Sequence, residues 1–475
     1  MRILFVEDNE TFVSQIAPFL RNIGGIDDVK HVRSRDAAIA AIEDASYDLV
    51  ILDLTIPAVD DSLDIAADHG QTVFHEIRLR APGTPTFILT GSEPDEFSRR
   101  LARFGENLDL WGTGSQTNTV DYFLKEEVDK LLERVSQIAD VVAGTDSITI
   151  DSRGRDVGLS EVQRRIVKVF GRKAGGVSCE VKSLGGGLSD AKVVQAIAKD
   201  DQGRVMANCA AKLGTKEEIE TEITAYEQHV KRLGVGCYPP AFCTINKGVG
   251  GGAGQFYTLA DEHTETFFKV SHDDAAEAAG VLAQVKEKLT LWTGARAVSE
   301  TTVGDIRRRC VSDQSLASIL RGTDLPFIGK IEEGRLRAAQ SCVHGDLHGG
   351  NILVDRGRRP ILIDFGDVGP GYTALDPVTL ELSLLFHPEG VRLGLSDSLA
   401  PIIASWPDVD RYIAGHALAP LLRACRDWAH DVAGGDLDVL ANGYGFALRQ
   451  LKYETVPKEV TLRLLESISD KIAAG

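Results

Sequence analysis

The sequence predicts a multidomain chain, with an α/β doubly wound parallel sheet followed by a two-lobed α+β unit. Three observations carry this expectation. A length of 475 residues exceeds what one ordinary core accommodates. The first part alternates short β-branched runs with amphipathic stretches, which implies a parallel sheet covered on both faces. From Cys179 onward the strand-like runs come first and the helical ones later, as in an α+β unit with unlike lobes.

In order along the chain, "RILFVED" reads as a strand, "ETFVSQIAPFLRNIG" as a helix, "DLVILDL" as a strand, "TVFHEIRLRA" as a helix and "TPTFILTG" as a strand. "DEFSRRLARFG" is helical, "VDYFL" a strand, and "EVDKLLERVSQIADVVA" a helix. The polar "GTDSITIDSRGRDVG" reads as a linker, followed by the amphipathic "LSEVQRRIVKVFGRK". Strands then recur in "CEVKSLGGGLSDAKVVQAIAKD", "RVMANCAAKLG" and "GQFYTLA", with "GVGGGAGQ" a flexible turn between them. The expected segments are 1–142 for the α/β part, 143–178 for a linker with its connecting helix, 179–270 for the strand-rich lobe and 271–475 for the helical lobe.

A hydrophobic content of 43% with 26% charged residues suits a water-soluble globular chain, and no apolar run approaches a membrane span. "MRILFVED" has neither the length nor the small-residue cleavage site of a signal peptide, so a cytoplasmic location is expected. The net charge of −18 disfavours a general hold on nucleic acid phosphates. The 7 cysteines form no CxxC pair, which argues against a disulfide scaffold or a zinc site.

Glu7 and Asp8 end the first predicted strand, Asp53 ends "LVILD", Thr90 ends "FILT" and Lys125 ends "DYFLK". On a parallel sheet these groups converge at the carboxyl ends of the strands, where such sheets place their ligands. Carboxylates crowded in this way favour a hard cation such as Mg²⁺, which offsets their repulsion. With "VEDN", "ILDLTIP" and "DYFLK" in this order, the segment resembles the receiver domain of two-component response regulators. The resemblance implies that Asp53 accepts a phosphoryl group from a sensor histidine kinase and that Glu7, Asp8 and Asp53 hold Mg²⁺. It also implies that Thr90 and Lys125 contact the phosphoryl oxygens and that Tyr122 is the aromatic switch. The family's usual proline after the lysine is here Glu126, and "AVDDSLDIAADHG" and "GENLDLWGTGSQTNT" enlarge two loops.

A second constellation lies in "VHGDLHGGNILVD" and "PILIDFGDVGPG", where Asp346, Asn351 and Asp364 supply a carboxylate for an acceptor hydroxyl and oxygen ligands for Mg²⁺. Upstream, "LGGGLSDAKV" lets backbone approach phosphates, Lys212 follows in "NCAAKLG", and "EEIETEITAYEQHV" carries Glu222 and Glu227. From Cys179 to Phe386 the chain resembles the aminoglycoside phosphotransferase and choline kinase group of the protein-kinase-like fold. The resemblance implies that Asp346 is the catalytic base or the group that orients the acceptor hydroxyl, that Asn351 and Asp364 are Mg²⁺ ligands, and that Gly185, Gly186, Gly187, Ser189 and Lys212 contact ATP. Glu222 is the expected partner of Lys212, with Glu227 the alternative. His344 shapes the loop, and Asp376 either braces it or caps the helix after Pro377. The adenine is expected near Leu259.

The expected function is a response regulator, phosphorylated on Asp53, whose output is an ATP- and Mg²⁺-dependent phosphotransferase acting on a hydroxyl of a small molecule or protein. The alternative is a signalling scaffold in which the second domain is a nucleotide-binding pseudokinase. A homodimer is compatible with either, and membrane and nucleic acid partners are disfavoured. The run "DVAGGDLDVLANG" offers carboxylates for a cationic acceptor.

Overall fold

The computed structural model describes residues 1–91, 104–154, 156–184, 191–234, 236–259 and 265–474. The chain divides into two compact units, Met1–Ile219 with Ala241–Thr258, and Glu220–Pro240 with Leu259–Gly475.

The first unit opens with β1 (Arg2–Val6), α1 (Glu10–Asn22), β2 (Asp28–Val32), α2 (Arg35–Asp44) and β3 (Leu49–Asp53). A hairpin of β4 (Ile56–Pro57) and β5 (Ile65–Ala66) leads to α3 (Ala67–Arg80) and β6 (Thr86–Thr90). A second hairpin, β7 (Asn107–Leu108) and β8 (Thr117–Asn118), precedes β9 (Val120–Leu124) and α4 (Val128–Asp146). The five long strands form one parallel sheet in the order β2-β1-β3-β6-β9. Successive residues of a strand face opposite sides. Ile3, Phe5, Leu49 and Ile51 accordingly pack under α1 and α4 against Leu20, Leu131 and Ile138, while Leu4, Val50 and Leu52 pack under α2 and α3 against Ala38, Val73 and Phe74.

The sequence reading omitted β2 and α2. The first is an edge strand exposing Asp28 and Lys30, and the second is alanine-rich with only a shallow apolar stripe, so neither periodicity stands out. The two enlarged loops are the two hairpins, and the second brings Leu110 and Trp111 into the core. The helix expected over "DEFSRRLARFG" falls for the most part outside the described residues.

The same unit holds a six-stranded sheet, β10-β11-β12-β13-β15-β14, built from β10 (Thr149–Asp151), β11 (Ser178–Ser183), β12 (Lys192–Lys199), β13 (Val205–Thr215), β14 (Ala241–Ile245) and β15 (Gly252–Thr258). The segment read as a linker contributes β10 to this sheet and α5 (Glu161–Lys173) to its core. A Ser160–Gln163 capping box starts α5. Its apolar face places Phe170 in a 4.3 Å stack on Phe256, and Arg165 on another face pairs with Asp48 at 2.8 Å and with Asp146. Part of "GVGGGAGQ" is strand β15 instead of a turn. A Cβ on Gly252 or Gly254 would lie 2.3 Å from Val162 or 2.6 Å from Ile166, so these glycines permit α5 to press on the sheet.

The second unit takes most of α6 (Lys216–Gln228), together with α7 (Ala275–Thr293), α8 (Val303–Cys310), α9 (Leu375–Phe386), α10 (Ala419–Val432), α11 (Asp436–Gln450) and α12 (Lys458–Ala474). Two small antiparallel sheets frame the loops between them. One is β17-β18-β21 (Ala297–Thr302, Arg335–Val343, Gly369–Tyr372), the other β16-β19-β20 (Glu265–Thr266, Ile352–Val354, Pro360–Leu362). Helices α9 and α11 are buried along most of their length. Between α9 and α10, Glu381 pairs with Arg426 at 2.8 Å and accepts Trp406 Nε1 at 2.9 Å, so both charges are paired and hydrogen-bonded within the core. All seven cysteines are free thiols. No helix among the described residues is long and apolar enough to cross a membrane.

Candidate functional site

In the first unit, the edge between β1 and β3 is the point where the strand order reverses, and there Glu7 follows β1 while Asp53 ends β3. Ligand oxygens of Glu7, Asp8 and Asp53 all lie within 4.8 Å of one another. Lys125 Nζ sits 2.7 Å from Asp53 Oδ2 and 2.9 Å from Glu7 Oε1. Asp53 Oδ1 accepts from Thr55 N at 3.0 Å, and Glu7 Oε1 also accepts from Asn9 N at 3.1 Å. Thr90 ends β6 opposite Leu124, and its carbonyl accepts from Lys125 N at 2.9 Å, which ties the lysine's backbone to the hydroxyl-bearing residue. Tyr122 packs half-buried on the core beneath α2 and α3.

Glu7 and Asp53 share the Lys125 ammonium, and Asp8 lies with them. Burial, reinforced by the Asp53 charge and opposed by Lys125, pushes the Glu7 carboxyl up to about 7. Burial also pulls Lys125 down, but its bonds to Asp53 and Glu7 outweigh that and hold it above the usual range. Glu7 Oε2 is buried and lies 2.7 Å from Lys125 Nζ, the same ammonium that meets Asp53. An all-oxygen, under-neutralised donor set fits a hard divalent ion of the Mg²⁺ type.

In the second unit, the loop between β18 and β19 holds the other constellation. Asp376 Oδ2 accepts from His344 N at 2.7 Å and Oδ1 from Gly345 N at 2.9 Å. Asp376 therefore lies within α9 and bonds the loop, and the residue at the helix N-cap is Ala374. Gly345 has φ of 83°, and a Cβ there would sit 2.5 Å from Asp367 O, so the turn admits only glycine. His344 Nε2 donates to Ile363 O at 3.1 Å, which links the loop to the strand leading into Asp364. Asp364 itself stands in the left-handed region at φ 62°, a conformation that non-glycine residues hold only under constraint.

Asn351 Nδ2 donates to Asp346 O at 2.9 Å, and Ile363 N donates to Asn351 O at 3.0 Å, so Asp346, Asn351 and Asp364 belong to one hydrogen-bonded loop pair. His348 Nδ1 accepts from Gly350 N, and its Nε2 lies 3.7 Å from Asp346 Oδ2. Burial drives the Asp346 carboxyl up, but His348, Arg449 and His344 together leave it below the usual range. Asn351 and Asp364 offer only oxygens toward a metal, again the hard-cation pattern.

Arg449 was not found from the sequence. Its Nη1 lies 3.1 Å from Asp346 Oδ1, yet it sits 103 residues downstream, near the end of a helix that carries no motif. Among the nucleotide residues, Lys212 is half-buried on β13 between Val193 and Gln255. Glu222 is fully buried in the other unit, where it accepts from Phe365 N at 3.0 Å. Glu227 is exposed and paired with Lys231 at 2.7 Å. Gly185, Gly186, Gly187 and Ser189 lie outside the described residues, as does the stretch just after Leu259. In the run "DVAGGDLDVLANG", Asp438 is buried and accepts from Ala339 N at 3.0 Å and Gly434 N at 2.8 Å.

Comparison with known proteins finds the response regulator receiver domain over residues 3–108 and the phosphotransferase enzyme family over residues 215–395. Solved structures similar to the chain include the receiver domain of a Francisella response regulator, 1452, at 22% identity, covering 30% of this chain and 98% of that one with a TM-score of 0.22. Another is the magnesium-coordinated receiver domain of the sensor histidine kinase PA1611 from Pseudomonas aeruginosa PAO1, at 24% identity, covering 29% and 97% with a TM-score of 0.21. A third is the BeF3-activated receiver domain of RstA from Klebsiella pneumoniae, at 25% identity, covering 29% and 98% with a TM-score of 0.22. No curated protein matches. The chain thus joins a response regulator receiver domain to a domain of the phosphotransferase enzyme family.

Proposed function

We propose that this chain is a two-component response regulator whose receiver is phosphorylated on Asp53 and whose output domain transfers the γ-phosphoryl group of ATP to an acceptor hydroxyl. The observation that carries the second half is the loop geometry at Asp346. Two backbone N–H groups clamped by Asp376, and the Asn351 side chain on its carbonyl, hold Asp346 in place for work on a substrate.

At the receiver, an Asp53 oxygen attacks the phosphorus of a phosphohistidine, the N–P bond breaks, and an acyl phosphate forms. Lys125 supplies positive charge to the incoming oxygens, and Glu7, Asp8 and Asp53 would hold Mg²⁺. At the second site, the acceptor hydroxyl attacks the γ-phosphorus, its proton passes to Asp346, and the bond to ADP breaks. Asn351 and Asp364 would hold Mg²⁺, which offsets the phosphate charge when bound. Lys212 is assigned to the phosphates and Glu222 to bracing the loop through Phe365. The pseudokinase reading draws on the Asp346–Arg449 ion pair, since a base held by a guanidinium is a weaker base.

Intact-mass measurement of the full chain with Mg-ATP, and separately with a small phosphodonor such as acetyl phosphate, tests both halves. Loading by the phosphodonor is expected to vanish in Asp53→Ala while nucleotide binding persists. Asp364→Ala is expected to weaken Mg-ATP binding while loading persists, and Asp346→Asn to stop turnover. ATP turnover absent in every receiver state would leave only the scaffold reading.

A further inference from the structure

The charge around Asp346 has a consequence for the acceptor. Arg449 is no loose surface arginine. It projects from α11, whose Gly443 faces Trp406 so closely that a Cβ would lie 2.4 Å from the indole, and whose Gly445 lies against Cys310. Tyr444 on the same helix donates to Glu332 Oε1 at 3.0 Å, and the guanidinium also meets Tyr453. The side chains of Arg449 and Asp346 remain 29% and 28% exposed, so the pair is recessed yet open to a small molecule.

Cys310, beside α11, is near the charge of Arg309 as well as that of Arg449, with Asp346 opposing them. Of the carboxylates in "DVAGGDLDVLANG", Asp438 is taken by buried backbone N–H groups, and the exposed Asp436 lies 3.1 Å from His430.

We propose that Arg449 reads a negatively charged group on the acceptor, so that the hydroxyl compound phosphorylated beside Asp346 is a small anion bearing a carboxylate or phosphate. This inference rests on the phosphotransferase reading of the same site. A planar guanidinium has enough donors to hold Asp346 and an acceptor anion together, which orients the hydroxyl against the base. A cationic acceptor would instead meet like charge at the point of entry.

The test uses the full chain with Mg²⁺ and a non-hydrolysable ATP analogue. Calorimetry then follows D-glycerate and glycerol 3-phosphate as anionic probes, glycerol as the neutral one, and choline and kanamycin as cationic ones. The expected result is that at least one anion binds, more tightly than glycerol or either cation. Arg449→Gln should weaken that anion by roughly ten- to a hundred-fold, the range of a charge-assisted hydrogen bond, and Arg449→Lys by less. Nucleotide affinity and the thermal transition of the variants should match the parent. D-glycerate against glycerol 3-phosphate decides which anionic group is preferred. Anion binding equal in parent and Arg449→Gln, no anion binding at all, or tighter binding of a cation overturns the inference while nucleotide binding stands. Absence of nucleotide binding in the parent sinks the phosphotransferase reading, and this inference with it.

Discussion

Replacing Asp376 with alanine should uncouple the catalytic loop from α9, and the structure sets the size of the effect. Two backbone donors, His344 N and Gly345 N, lose their acceptor in a place where Asp376 itself is 3% exposed. A buried donor left unsatisfied costs about 1–3 kcal/mol, so the pair amounts to about 2–6 kcal/mol. The carboxylate is itself held above its usual pKa, because burial outweighs the His344 charge and the two backbone bonds, so part of that cost is recovered when it is removed. A loss of about 3 kcal/mol follows, and less for Asp376→Asn, whose single carbonyl oxygen retains one of the two bonds. Trp292, Trp406 and Trp428 all lie in the second unit, so in a Trp111→Phe background their fluorescence follows urea unfolding of that unit alone. Because Asp346 is displaced with the loop, phosphoryl transfer should fall at least about 100-fold while nucleotide affinity changes little. If Asp376→Ala lowers the midpoint by less than about 1 kcal/mol at unchanged slope, or if Asp376→Asn is as damaging, the two-donor clamp is not what holds the loop.

Two further outcomes follow. Glu381→Ala should cost about 3–5 kcal/mol in the same fluorescence transition, since it strands a buried Arg426 and the Trp406 N–H; replacing both Glu381 and Arg426 with methionine should recover the part due to the stranded guanidinium, though not the Trp406 N–H. Glu7 should make the first unit less stable as pH rises: its folded pKa of about 7 exceeds the usual 4.5, so its stabilising proton is fully bound below 4.5 and lost as pH climbs through 7. Denaturation followed by Trp111 in chelator at pH 5 and pH 8 should show a fall of order 3 kcal/mol that Glu7→Gln removes and Mg²⁺ opposes; an unchanged slope in Glu7→Gln would assign the pH dependence to another group.

Much of the fold was legible because parallel strands buried on both faces read as unbroken apolar runs. "LVILD" and "FILT" are such runs, and β3 and β6 are fully or nearly fully buried. Edge strand β2 was not legible, since its exposed Asp28 and Lys30 break the run. The segment around β10 and α5 misled for a different reason. Turn-forming residues such as Gly154 and Gly158, both at positive φ, surround a three-residue strand whose partner β11 begins only at Ser178. Composition reports the turns, while membership of a sheet is decided by a pairing that composition does not carry.

The sites divide along the same line. Part of "HGDLHGGN" bonds within itself, His348 N to Asp346 O, Asn351 N to His348 O and Asn351 Nδ2 to Asp346 O, while His344 N and Gly345 N bond Asp376, which lies outside the motif. The local bonds tie these residue types to a fixed short spacing, and so that part can be read. Glu222 is preferred over Glu227 from helix pattern alone, and burial is a difference that pattern does not carry: Glu222 lies in the core against Phe365, Glu227 on the surface with Lys231. Arg449 needs no local partner, because α11 is positioned by Trp406, Cys310 and Glu332, residues drawn from other helices and loops. Its charge reaches Asp346 through packing alone, and packing of this kind leaves no spacing rule behind. The loop around Asp346 is therefore marked in the sequence by a short motif, while Arg449 reaches Asp346 only once the helix has folded.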